Sequence, residues 1–151
     1  MSNIEVAELT RVALREHKTP VTQLLAKAMT LLKQTSPGLK LIVSYADINQ
    51  GHIGIIYQAS NWIYEGKTVP AGYFIINGVR KHGRSVSAFY KTSSLEWLRK
   101  NIDPDARIVY DQGKHKYLMP LDKKTRKQII LLSKPYPKEN NLQAPKDPKN
   151  H

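Results

Sequence analysis

Residues 39–64 read LKLIVSYADINQGHIGIIYQASNWIY, and this stretch decides the fold. Residues 39–46 form an apolar run rich in β-branched side chains, as expected of a buried and parallel strand. Asp47, Ile48, Asn49, Gln50, Gly51 and His52 follow as a loop at its carboxyl end. Ile53, Ile56, Tyr57 and Ser60 then share one face of a short helix ending near Asn61. Trp62-Ile63-Tyr64 opens a further extended segment, broken at Gly66.

Upstream, residues 4–14 read as a strand with Val6, Leu9, Val12 and Leu14 apolar. Thr19 followed by Pro20 predicts a helix start, with Thr19 as cap and Pro20 in the first helical position. Val21, Leu24, Leu25, Ala28, Met29 and Leu32 then lie on one helical face, and Ser36-Pro37-Gly38 ends the element. Downstream, residues 72–77 are another strand. Residues 94–102 are a helix capped by Ser93 or Ser94. Residues 108–110 and 117–119 flank Asp111-Gln112-Gly113 as an expected hairpin, and 123–132 read as a basic helix. Residues 135–151 hold four of the nine prolines and little apolar content, the composition of a disordered tail. The order strand, helix, strand, short helix, strand is an α/β pattern. The expected organisation is a core over residues 1–78, a small basic carboxy-terminal extension over 79–134 packed on it, and the tail.

Twenty-four Lys and Arg against twelve Asp and Glu give a net charge of +12. Such an excess favours polyanionic partners, because neutralising phosphates releases condensed counterions; a solubilising surface with a basic tail is the plainer reading. The chain has no cysteine, which excludes disulfides, thiolate zinc sites and a cysteine nucleophile. Any metal would rest on His, Asp, Glu, Tyr or water, a donor set suited to iron, manganese or magnesium. No apolar run approaches the roughly 18 residues that span a bilayer, and the first residues carry no signal-like segment, so a cytoplasmic protein without a membrane partner is expected. There is no glycine-rich dinucleotide fingerprint, P-loop, serine elbow, zinc helix or acidic methyltransferase motif.

Four places carry candidate chemistry. The helix start after Arg15 offers the amides of Val21, Thr22 and Gln23 to a phosphate, although any well-capped helix looks the same. Asp47 and His52 lie beyond the carboxyl end of a strand, where α/β sheets bind ligands. One can act as general base or both can ligate a metal; equally, Asp47 can simply cap the turn. The run Tyr57-Gln58-Ala59-Ser60-Asn61-Trp62-Ile63-Tyr64, polar-tipped aromatics grouped with an amide, suits stacking on a base and bonding to its edge, or packing in a core. The stretch Arg80, Lys81, His82, Gly83, Arg84, helped by Lys114, His115, Lys116, Lys123, Lys124, Arg126 and Lys127, suits DNA phosphates or a solvated surface.

Residues 43–47, VSYAD, with residues 51–66, GHIGIIYQASNWIYEG, resemble the core motif of the phage Mom family. HKYLMPLD at 115–122, KPYPK at 134–138 and ELTRV at 8–12 extend the resemblance over residues 5–138. Mom-type proteins are similar to GNAT acyltransferases. The resemblance implies an enzyme that places a methylcarbamoyl (acetamido-type) group on adenine N6 of double-stranded phage DNA and so protects it from restriction in the bacterial host. It implies a partial GNAT-like fold with a mixed sheet. Residues 9–14 would be the central strand, and residues 15–23 the turn holding acyl-coenzyme A or a related donor. The strand over 41–45 would splay from its neighbour and open the active-site cleft. Asp47 takes the acid–base or metal role, Tyr57 and Asn61 place adenine, and Arg11, Arg15 and Ser44 support the donor or the site. The family's association with iron reaches this sequence only through Asp47. Two departures stand out: His17-Lys18-Thr19-Pro20 replaces the glycine-rich turn, and the chain begins at the family fold's fourth strand. A carboxy-terminal portion is therefore expected, with a missing amino-terminal half or a second copy as partner. The alternative is a non-catalytic, DNA-binding half of a split acyltransferase-like protein.

Overall fold

The computed structural model describes residues 5–13, 15 and 18–139. Its first element, β1 (Val6–Leu9), runs parallel to β2 (Leu41–Asp47), connected through α1 (Val21–Thr35). The next elements are a 3-10 turn (Ile48–Gln50), α2 (Ile55–Ala59), β3 (Ile63–Lys67), β4 (Gly72–Ile76) and β5 (Val79–His82). They are followed by α3 (Gly83–Tyr90), α4 (Leu95–Asn101), β6 (Arg107–Tyr110), β7 (Lys114–Pro120), α5 (Lys123–Ile129) and a 3-10 turn (Ile130–Leu132). The described residues are thus mixed α/β, with five α-helices and two sheets.

The first sheet has the order β1-β2-β7-β3, with β7 antiparallel to both neighbours. β2 is central, and its continuous apolar run is explained by cover on both faces. Ile42 and Ala46 join Met29, Tyr57, Trp62, Tyr64, Tyr117 and Leu121 on one side. Leu41 and Val43 join Ile63, Leu118 and Ile129 on the other. α1 buries Leu25 and Met29. Each such side chain contributes roughly 1.5–3 kcal/mol when taken out of water.

The described residues divide into two compact units, one of those up to residue 68 together with those from 114 onward, and one of residues 69–113. This division differs from the boundaries expected after residues 78 and 134, because β7 returns to the middle of the first sheet. In the second unit β4 pairs antiparallel with β5 and β6. Phe74 and Ile76 pack there with Val86 of α3, Leu98 of α4 and Ala106.

Several local expectations change. β6 and β7 do not form a hairpin: β6 pairs with β4, and β7 lies in the other sheet. The turn-forming Asp111 instead holds Ala71 and Gly113, its carboxylate accepting both amides at 2.8 Å. Pro20, rather than Thr19, occupies the cap position of α1, with ψ 139 and no side-chain cap bond. Gly66 does not end β3; it takes φ +122 beside a register shift inside the strand. The basic helix stops at Ile129 and tightens into the 3-10 turn. Residues 135–139 of the expected tail are tied down, with Tyr136 donating to Trp62 O at 2.5 Å and Gln58 to Pro137 O at 3.3 Å. Residues 140–151 lie outside the described residues.

Candidate active site

Pairing of β1 with β2 ends at Leu9 opposite Ser44, while β2 continues against β7 as far as Asp47. Beyond that last pair lies a cavity of about 1000 Å³. Its wall is formed by residues 10–13, by Tyr45, Ala46 and Asp47 at the end of β2, by residues 50–57, and by Glu139. Arg11, Asp47, His52 and Tyr57, separated in sequence, thus share one wall.

Ser44 is fully buried beneath this wall, 2.7 Å from Leu9 O and 2.7 Å from the Tyr57 hydroxyl. A carbonyl only accepts, so the single serine proton goes to Leu9 and the Tyr57 hydroxyl donates to Ser44. Ser44 therefore bridges the two strands where they part and orients Tyr57 at the same time.

Asp47 accepts from the backbone and side-chain amides of Asn49, each at 3.0 Å, and caps the 3-10 turn. The plain capping role is therefore real, and it coexists with a position in the cavity wall. Both bonds fall on one carboxylate oxygen, which leaves the other without a protein donor among the described residues. His52 is exposed and meets Asp47 only through the backbone, its N–H donating to Asp47 O at 3.1 Å. Asn61 sits in the turn after α2 at φ 58, exposed and outside the cavity wall.

The aromatic residues of the motif are core. Trp62, Tyr64 and Tyr57 are all buried, and of the three only Tyr57 lines the cavity. Around them Gln58, expected at a base edge, and Tyr117, quoted only within the motif at 115–122, take a structural role. The Tyr117 hydroxyl donates to Ile53 O and accepts from Gln58 Nε2 at 3.0 Å. Gln58 also donates to Ile53 O at 3.2 Å. These bonds fix the turn at residues 52–54 that walls the cavity. Gly54 completes it: at φ +80 it lies so close to the Tyr117 ring that a Cβ would collide. Its place just before a short apolar helix was the only local sign. Tyr117 stood only in the motif at 115–122, with no sign of this role, because its partners lie 59 and 64 positions away.

Burial pushes the Tyr117 hydroxyl up to about 12, against the opposing effect of the Gln58 bond. Tyr64 is raised by burial, and its hydroxyl lies 2.8 Å from His115 Nδ1. His115 is held below the ordinary imidazole value by burial and then by the charge of Lys67.

The expected donor cradle is only partly available. Gln23 N–H is bonded to Pro20 O at 3.0 Å, and neither Arg15 nor the first turn of α1 belongs to the cavity wall. Val21 and Thr22 remain as the amides of that turn. Among the described residues no three His, Asp or Glu side chains are grouped to hold a metal ion. No helix among them is long and apolar enough to cross a membrane.

The expected DNA contacts fall in both units. The Arg80 guanidinium lies 3.8 Å from the Tyr73 ring centre, Lys81 lies 5.8 Å from that of Phe89, and Arg84 is exposed on α3. Lys114 is exposed, whereas Lys116 pairs with Glu65 at 2.6 Å.

A family model described as the Mom protein family matches residues 1–138. The chain is also similar to "Methylcarbamoylase mom" of Escherichia phage Mu, 24% identical over 137 residues. That match covers 87% of this chain and 56% of the relative, so the chain spans about half the relative's length. The motif that walls the cavity lies within the matched residues, and the chain belongs to the phage Mom protein family.

Proposed function

We propose that this chain carries the adenine-binding and acid–base half-site of a Mom-type DNA-modifying transferase. The observation that carries this reading is the cavity where β1 and β2 part, with Arg11, Asp47 and Tyr57 in one wall. Parting strands with a ligand cleft between them are also what a GNAT-like fold would provide. The cavity's 1000 Å³ suits a base turned out of the duplex together with the reactive end of a donor.

In the proposed reaction, adenine N6 forms a bond to the transferred carbon of an activated donor, the methylene carbon for an acetamido-type group and the carbonyl carbon for an acyl group. The bond from that carbon to its leaving group breaks, and the N6 proton passes to Asp47. Tyr57, buried and held through Ser44, shapes the cavity wall against which the base would rest. Arg11 offers positive charge to an anionic donor, and acyl-coenzyme A is the class that the Val21 and Thr22 amides would suit. No step is routed through iron.

The test is to express the chain in bacteria, hydrolyse the cellular DNA and weigh its deoxyadenosine by mass spectrometry. A heavier species, lost in Asp47→Asn while the circular dichroism stays unchanged, supports the reading. Activity that survives Asp47→Asn removes Asp47 from the chemistry. Unmodified DNA from cells with soluble, folded protein would favour DNA binding without catalysis.

A further inference from the structure

In the second unit, the strand register sorts the basic residues between two faces of one sheet. Ile75 stands opposite Arg80 on one side and Arg107 on the other; Tyr73 stands opposite His82 and Val109. These six residues form the face away from Phe74 and Ile76, which the helices cover. Arg80, His82 and Arg107 are exposed, and none of the six is acidic. Asp111, next in the alternation beyond β6, is held by the amides of Ala71 and Gly113.

We propose that this open face docks the phosphate backbone of duplex DNA, with Arg80 and Arg107 as its two charge contacts. Two strand spacings set their backbones about 10 Å apart, which allows each guanidinium its own phosphate. Charge complementarity selects a polyanion. The aromatic content argues for backbone contact over single-strand stacking: Tyr73 is half-buried and already covered by the Arg80 guanidinium, and no other Tyr, Phe or Trp stands on the face. Sequence reading placed Arg80 with Lys81 and Arg84. The fold instead pairs it with Arg107, 27 positions away, and turns Lys81 toward Phe89. The choice of DNA among polyanions rests on the DNA-modifying reading above.

The experiment measures binding of the full chain to a fluorescent duplex oligonucleotide, and to its single strand, across a salt series. The double variant Arg80→Gln, Arg107→Gln should lose roughly tenfold in duplex affinity at low salt. The slope of log affinity against log salt should fall by about two. A control, Lys123→Gln with Lys127→Gln, removes equal charge from α5 and should change affinity less than threefold. Arg107→Gln alone leaves the Arg80–Tyr73 contact in place and should still lower the slope by about one. Equal weakening by the control, an unchanged slope in the arginine variants, or an effect confined to the single strand would each overturn the proposal. If deoxyadenosine stays unmodified but duplex binding follows these arginines, the enzymatic reading fails and the surface stands. If modification occurs while the double variant binds duplex like wild type, the surface fails and that reading stands.

Discussion

Ser44 shows how one buried hydroxyl serves both fold and site. Ser44→Ala leaves Leu9 O and the Tyr57 hydroxyl without this shared partner inside the protein. We expect a loss of about 1–3 kcal/mol in urea unfolding, against about 1 kcal/mol for Tyr57→Phe, which leaves the Ser44–Leu9 bond intact. Equal stabilities for Ser44→Ala and wild type would mean that the bridge contributes nothing. The titratable residues give a second prediction with a defined sign. His115 is lowered in the fold, so below the unfolded value near 6.5 the unfolded chain binds more protons. Its contribution is present above that pH and is lost as pH falls through the folded value. Tyr117 is raised to about 12, so its contribution is full below pH 10 and is lost as pH rises from 10 toward 12, with Tyr64 acting in the same direction. Unfolding midpoints from pH 5 to 11 should therefore fall at both ends, and His115→Gln should flatten the acid limb. An acid limb unchanged by that substitution would locate the acid sensitivity elsewhere.

At the scale of elements, the turn before α2 is the part least tolerant of change. Gly54→Ala combines a left-handed backbone, costing roughly 1–2 kcal/mol for a non-glycine residue, with a clash against Tyr117 that costs about 1–3 kcal/mol. Thermal unfolding should show the destabilisation, and the turn at residues 52–54 should move enough to impair adenine modification. A variant with wild-type melting would mean that this ring contact is not formed in solution. The hairpin of β4 and β5 carries its own local signal. Asn77 and Gly78 adopt φ 50 and 74, the two left-handed positions that the Asn-Gly pair favours in a tight turn. The expected hairpin of residues 108–119 failed for the opposite reason: a turn signal states that the chain bends, and leaves open which strand it meets next.

At the scale of the molecule, residues 69–113 are an excursion from the end of a strand pair. β3 and β7 are antiparallel neighbours, and at their ends Thr68 N donates to Lys114 O at 2.8 Å while Lys114 N donates to the Thr68 hydroxyl at 3.0 Å. Replacing residues 69–113 by an Asn-Gly turn should leave the first unit folded, with the wild-type amide spectrum retained for residues of β2, β3 and β7. A collapsed, poorly dispersed spectrum would show that the first unit requires the second. The same variant should lose duplex affinity if the Arg80 and Arg107 face is the docking surface.

By itself the sequence determined the local elements and the family: the buried run of β2, the amphipathic stripe of α1, a serine cap for α4 at Ser93 or Ser94, and the motif running from Val43 to Gly66. Those signals are carried by neighbours in sequence, through periodicity, capping and turn chemistry. Only the tertiary structure decided that β7 enters the first sheet between β2 and β3, that Trp62 and Tyr64 are core, and that Tyr117 holds the cavity wall. It also decided that Arg80 has Arg107 for its companion. Each of those facts depends on strand partners and side-chain contacts made across dozens of residues, and a linear pattern records what a segment can bury or bend without recording what it will meet.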